Sequence, residues 1–86
     1  MVRLLRANGM VEEISPKNGK KFELKELQEY VGGYIEVVQV PEDGFLIAIV
    51  NEEGLLKRLP FNSAANIMFG LELVGDIIIC PRTMLN

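Results

Sequence analysis

Residues 45–50 read Phe-Leu-Ile-Ala-Ile-Val, a run in which every side chain is apolar. A strand without polar residues on either face must be covered on both faces, so this run predicts the centre of a β-sheet. We predict two short helices with roughly 17 residues in total, which can cover one face of such a sheet. The opposite face then needs a curled sheet or another subunit, and we expect self-association.

The remaining elements follow from turn residues and apolar periodicity, and they predict one α+β domain spanning residues 1–86 in the order ββ-α-ββ-α-β. The predicted elements are strands 2–7 and 10–15 joined at Asn8-Gly9, a helix 23–31, strands 34–40 and 45–50 joined by residues 41–44, a short return strand 55–59, a helix 63–69 and a strand 77–80. About five strands form a largely antiparallel sheet; closure into a small barrel with helices at its ends is the alternative.

Helical spacing also predicts which side chains face the core. In the first helix these are Leu24, Leu27, Tyr30 and Val31, with Gly32 in the left-handed position that ends the helix. In the second helix they are Ile67 and either Met68 or Phe69. Asn62 precedes that helix as its N-cap.

Composition excludes several kinds of function. The sequence has no histidine, which is the commonest general base and metal ligand, and its single cysteine, Cys80, lies in an isoleucine run typical of a buried thiol. The adjacent acids at 12–13 and 52–53 are expected to be solvated pairs, because neighbouring strand residues point to opposite faces. We therefore expect neither an enzyme nor a metal or cofactor site.

Charge and hydropathy bear on location and partners. A lone cysteine is typical of a reducing compartment, and no segment approaches the roughly 20 apolar residues of a membrane span, so we expect a cytoplasmic protein. The net charge of −3 argues against nonspecific nucleic-acid binding, which depends on Lys and Arg. A mean hydropathy of +0.21 indicates that some apolar surface enters an interface.

A small anionic ligand is still compatible with this composition. The start of the second helix offers free N–H groups, with Lys57 and Arg58 a few residues upstream, so the sequence predicts an anion site there with Asn51 and Asn62. Tyr30 and Tyr34 bracket a glycine pair, and either ring could stack on a nucleobase. The alternative is that Asn62 is only a cap, the basic pair is solvated and the tyrosines pack.

Four motifs occur in a fixed order along the chain. They are LQEYVGGYIE at 27–36, NEEG at 51–54, LPFN at 59–62 and VGDII at 74–78. Together they resemble an uncharacterised domain-of-unknown-function family of small proteins from phages, plasmids and other mobile elements. The resemblance implies a setting in which small accessory proteins counter host defence, in several families by sequestering cyclic oligonucleotide or cyclic ADP-ribose signals without cleaving them.

Two hypotheses follow. In the first, a homo-oligomer sequesters a small nucleotide immune signal at the subunit boundary, with Tyr30 or Tyr34 stacking on the base and Lys57, Arg58, Asn51 and Asn62 holding phosphates and polar edges. In the second, the protein is an inhibitor or adaptor that binds a host enzyme through an exposed sheet edge or an acidic surface, which favours a basic partner. A supporting subunit in phage or plasmid DNA metabolism is also compatible with the sequence.

Overall fold

The computed structural model describes residues 2–85, which form five strands and two helices. In chain order these are β1 Arg3–Leu5, β2 Val11–Glu13, α1 Leu24–Val31, β3 Ile35–Gln39, β4 Leu46–Asn51, α2 Ser63–Phe69 and β5 Ile77–Pro81, followed by a 3₁₀ turn at Arg82–Met84. The predicted α+β class and element order are confirmed. The hairpin at Asn8-Gly9 also forms, although its strands are shorter than predicted.

The strands lie in the order β2-β1-β5-β4-β3, and every neighbouring pair is antiparallel. The two most apolar strands, β4 and β5, are therefore both interior strands with partners on each side. Within residues 2–85 the sheet is open, with β2 and β3 at its edges, so the alternative of a closed barrel is not what forms.

The first face of the sheet packs against α1. Leu27 and Val31 join Ile49 and Ile78 in one buried apolar cluster. Gly32 ends α1 with φ 81°, and its N–H donates to the Gln28 carbonyl, as predicted for a left-handed C-terminal glycine. Two residues predicted to face the core are less buried than expected: Leu24 is mostly exposed, and Tyr30 is only partly buried.

The second face is covered by α2 and the segment after it. Ala65 and Leu71 pack with Val50 and Ile77 in a second buried cluster. The expectation that the helices cover only one sheet face is therefore wrong, because the two helices lie on opposite faces and the chain itself covers both sides of β4. Ile67, predicted to be buried, is 82% exposed, and the smaller Ala65 takes the core position of α2.

The predicted return strand 55–59 is also wrong. Residues 52–58 form a series of tight turns, in which Lys57 N–H donates to the Glu53 carbonyl at 2.9 Å and Leu59 N–H to the Gly54 carbonyl at 3.0 Å. A return strand would need a free edge of β4, but β3 and β5 already occupy both edges. The segment therefore satisfies its backbone groups locally.

No helix within residues 2–85 is both long enough and apolar enough to cross a membrane. The thiol of Cys80 is fully buried in the first apolar cluster. Burial raises the pKa of this thiol to about 11, so it carries no thiolate at neutral pH.

Candidate binding surface

The turn segment after β4 contributes to two separate hollows. The larger has a volume of about 430 Å³, within the range of ligand pockets. Its lining combines apolar side chains with three glutamates: Val50, Leu55, Leu56, Leu73, Val74, Glu36, Glu52 and Glu72. The three glutamates are exposed, whereas Val50 is buried, so the hollow combines exposed acidic side chains with a buried apolar residue. We call this hollow the acid-rimmed pocket.

Leu55 and Leu56 are the most unusual residues of the acid-rimmed pocket. Each is 82% exposed, although both line the pocket and follow the buried residue Gly54. Fully burying a leucine side chain gives about 1.5–3 kcal/mol, and the fold leaves this gain unrealised at two adjacent positions. Paired exposed leucines beside a buried apolar residue are typical of a surface that a partner covers.

The smaller hollow has a volume of about 190 Å³ and is lined by Gln28, Gly33, Tyr34, Glu53 and Lys57. Tyr34 is 65% exposed. The Lys57 ammonium lies 3.8 Å from the Glu53 carboxylate and folds over Gly33, where a Cβ would come within 3.2 Å of Lys57 Nζ. The structure therefore brings together two of the predicted site residues, Tyr34 and Lys57.

Asn51 lies beneath these hollows and is buried. Its Nδ2 donates to the Val31 carbonyl at 3.1 Å, and its Oδ1 accepts from the Glu53 N–H at 2.8 Å. The side chain thus connects the end of α1 to the start of the turn segment. Both polar atoms of this side chain are hydrogen-bonded within the fold, although Asn51 also lines the acid-rimmed pocket.

Asn62 is fully buried. Its Oδ1 accepts from the Ala65 N–H at 2.9 Å, which confirms the predicted N-cap. Its Nδ2 donates to the carbonyls of Leu5 and Gly75, both at 2.8 Å. Both ends of the amide are hydrogen-bonded, and the residue has no exposed surface. Asn62 therefore stabilises the fold, whereas the sequence predicts that it contacts an anion.

The other two predicted site residues lie apart from Tyr34 and Lys57. Tyr30 packs against the first apolar cluster and lines a different hollow, with Lys17, Glu26 and Glu29. Arg58 is exposed in the turn segment, in a left-handed backbone conformation with φ 54°. The six residues therefore do not form one pocket within a single chain.

Sequence reasoning missed the residues that define the acid-rimmed pocket. The sequence predicts a strand at 55–59, in which either Leu55 or Leu56 would face the core. Glu36 and Glu72 are far apart in sequence, and the fold brings both to the pocket. The available signal was the adjacent leucine pair directly after the Asn-Glu-Glu-Gly turn. Among the described residues, no group of three or more Cys, Asp or Glu side chains has a metal-binding arrangement.

Comparison with known families gives a match over residues 3–84, to a family described as a domain of unknown function (DUF3846). No curated protein and no solved structure matches the chain. The expected relationship to an uncharacterised domain family is confirmed, and the family description carries no activity.

Proposed function

We propose that this chain, which belongs to the family of domains of unknown function DUF3846, acts by binding a basic segment of a partner protein. The observation that carries the proposal is the pair of 82% exposed leucines, Leu55 and Leu56, on an apolar pocket that also has carboxylates in its lining. An apolar anchor of the partner would cover the leucines, and its Lys or Arg side chains would meet the carboxylates.

Charge favours this partner over a nucleotide or a second copy of the chain. Glu36, Glu52 and Glu72 repel phosphate groups and attract cations, and the whole chain carries a net charge of −3. If two copies met through this pocket, two acidic rims would enter one interface. Complementary potential also speeds the encounter with a basic protein, an effect that salt weakens.

The setting we propose is the cytoplasm, with the chain serving as an accessory protein of a phage, plasmid or other mobile element that acts on a host protein. The buried free thiol of Cys80 suits a reducing compartment. The role is binding without turnover, because the pocket combines carboxylates with aliphatic side chains and its lining has no adjacent nucleophile and base.

Capped synthetic peptides with leucine flanked by lysines are expected to bind the chain, whereas matched peptides with glutamate in place of lysine are not. The double variant Leu55→Ser, Leu56→Ser should lose affinity for the lysine peptide by about tenfold or more. The leucine of the peptide then has no apolar side chains at these two positions to pack against. Fluorescence anisotropy with labelled peptides measures both effects. Circular dichroism should show an unchanged fold, since these side chains are exposed.

The chain offers matched controls for this test. Leu24→Ser removes an exposed leucine from α1, on the other face of the sheet, and should leave peptide affinity unchanged. Glu36→Gln should weaken binding and its salt dependence, whereas Glu13→Gln on the far edge strand should not. Equal binding of lysine and glutamate peptides, or equal losses in Leu24→Ser and the double variant, would contradict the proposal.

A second candidate function is sequestration of a small nucleotide signal, favoured by the exposed Tyr34 ring and the Lys57 ammonium on one hollow. At about 190 Å³ this hollow is smaller than the roughly 300 Å³ of ordinary ligand pockets. A second subunit would therefore have to complete the site, as a homo-oligomeric sponge requires. Asn51 and Asn62 would support such a site from within the fold and would not contact the ligand.

If this second function holds, cyclic dinucleotides or cyclic ADP-ribose isomers will raise the melting temperature by several degrees. Ligand at about 100 times its Kd stabilises a protein by about 2.7 kcal/mol. Tyr34→Ala and Lys57→Ala should each abolish the shift, whereas Lys25→Ala on the exposed side of α1 should preserve it. A flat thermal-shift screen across these compounds, with a chain that stays monomeric, would remove the nucleotide hypothesis.

A further inference from the structure

The edge strand β3 carries an unpaired row of backbone groups. Glu52 N–H donates to the Tyr34 carbonyl at 2.8 Å, which makes this a hydrogen-bonded pair of the β3–β4 ladder. Such pairs alternate along antiparallel strands, so the backbone groups of Glu36 and Val38 also point to β4. Those of Ile35, Val37 and Gln39 therefore point away from the sheet.

Side-chain contacts near the end of β3 lie on its inner side. The Gln39 side chain donates to the Asp43 carbonyl in the β3–β4 connection, and its Oε1 accepts from Arg82 after β5 at 2.5 Å. These contacts leave the outer edge of β3 open. Among residues 2–85 no hydrogen bond covers the outward backbone groups of Ile35 and Val37, and the Val37 residue is 46% exposed. Neither proline nor a bulge interrupts β3, so its outward backbone groups are free to pair with an added strand.

The free edge adjoins the acid-rimmed pocket. Glu36 is opposite Val50 in the β3–β4 register, and both residues line the pocket. Val38, two residues further along β3, packs into the apolar cluster that contains Val50, so the pocket lies on that face of the sheet. A strand added beside β3 would thus turn every second side chain toward Glu36 and the pocket.

We propose that the partner's basic segment docks in extended form as a sixth strand on β3, hydrogen-bonded to the backbone of Ile35 and Val37. This inference rests on the proposed function and specifies its geometry. Main-chain bonds supply affinity, and alternate side chains supply specificity. Residues in the order lysine, threonine, leucine, threonine, lysine place leucine over the pocket and both lysines toward its carboxylates. Glu36 on the edge disfavours acidic strands.

A capped peptide with that order of residues is the probe. Amide hydrogen exchange followed by NMR should show fast exchange at Ile35 and Val37 in the free protein. When the peptide occupies about 90% of the protein molecules, exchange at these two amides should slow about tenfold. Exchange then occurs only in the roughly one-tenth of the molecules that have no peptide bound. Glu36 and Val38, already bonded to β4, should change little. An isomeric peptide with leucine at the second position turns leucine to the opposite face and should bind more weakly.

Two further changes test the backbone contact itself. Val37→Pro removes an outward N–H and leaves the bonds to β4 in place, so it should fold and lose about fivefold in peptide affinity. Should this variant fail to fold, the wild type can be titrated with peptides N-methylated at alternate positions. Methyl groups on the residues that face β3 should abolish binding, and methyl groups on the intervening residues should not.

The outcomes separate this inference from the proposed function. Peptide binding that needs Leu55 and Leu56 but leaves the exchange of Ile35 and Val37 unchanged overturns the added strand and preserves the proposed function. Protection of these amides that grows with protein concentration without peptide identifies a second copy as the occupant and overturns the inference. Absence of binding by every lysine-flanked peptide overturns both.

Discussion

Replacing Asn62 with alanine is expected to lower the free energy of unfolding by about 3–5 kcal/mol. The change removes the N-cap bond from Ala65, worth about 0.5–2 kcal/mol, and takes the side-chain donor from the buried carbonyls of Leu5 and Gly75, at about 1–3 kcal/mol for each carbonyl. Since a small domain has about 5–15 kcal/mol in total, the melting temperature should fall by more than about 10 °C. Urea unfolding followed by circular dichroism measures the loss.

Two variants isolate the role of the Asn62 amide. Asn8→Ala removes an exposed asparagine whose Oδ1 only closes its own turn, and it should cost well under about 1 kcal/mol. Asn62→Asp keeps the acceptor for Ala65 but loses both donors and buries a charge, so it should be about as damaging as alanine. A small loss in Asn62→Ala would show that the three contacts are weak, and it would reopen a ligand role for this residue.

Much of the fold could be predicted from local sequence. The wholly apolar run at 45–50 specifies an interior strand, Asn8-Gly9 specifies a hairpin, and Gly32 specifies the end of a helix. Each of these signals acts within a few residues. The placement of the helices on opposite faces is not local, because it depends on which strands pair. The sheet order put β5 between β1 and β4, and this order decided both the helix positions and the loss of the predicted return strand.

The candidate site was harder to predict for a related reason. Asparagine before a helix or within a turn has the same sequence appearance whether its amide meets a ligand or the backbone. Burial distinguishes the two, and burial of Asn51 and Asn62 depends on contacts with residues far away in sequence, such as Val31 and Leu5. By contrast, Tyr34 and Lys57 remained accessible because they lie at the sheet edge and in the turn segment.

Polar residues of this chain thus divide into two groups with different exposure. The asparagines predicted to bind ligand hold the backbone together, whereas Glu52, predicted to belong to a solvated pair, lines the pocket that a partner would enter. Glu52 shows this most clearly: as one of two adjacent acids it has no evident role in the sequence, but the fold places it beside Glu36 and Glu72. The proposed role of these carboxylates in partner binding therefore follows from their position beside an apolar pocket and not from their residue type.

Replacing Asn51 is the change expected to connect stability with binding. Asn51→Ala leaves the buried Val31 carbonyl and the Glu53 N–H without their side-chain partner, which should lower the free energy of unfolding by about 2–4 kcal/mol. It should also weaken lysine-peptide binding, because the amide fixes the start of the turn segment that carries Leu55 and Leu56. Urea unfolding and peptide anisotropy, measured on the same preparation, give the two effects.

The aspartate variant separates these two effects of Asn51. Asn51→Asp keeps an acceptor for the Glu53 N–H, so the turn segment should stay in place and peptide affinity should be retained. It loses the donor to Val31 and sets a carboxylate oxygen beside that carbonyl, so stability should still fall. If Asn51→Ala lost stability but bound peptide as tightly as the wild type, the turn segment would hold its leucines without this tether. The exposure of Leu55 and Leu56 would then be a property of the local turns alone.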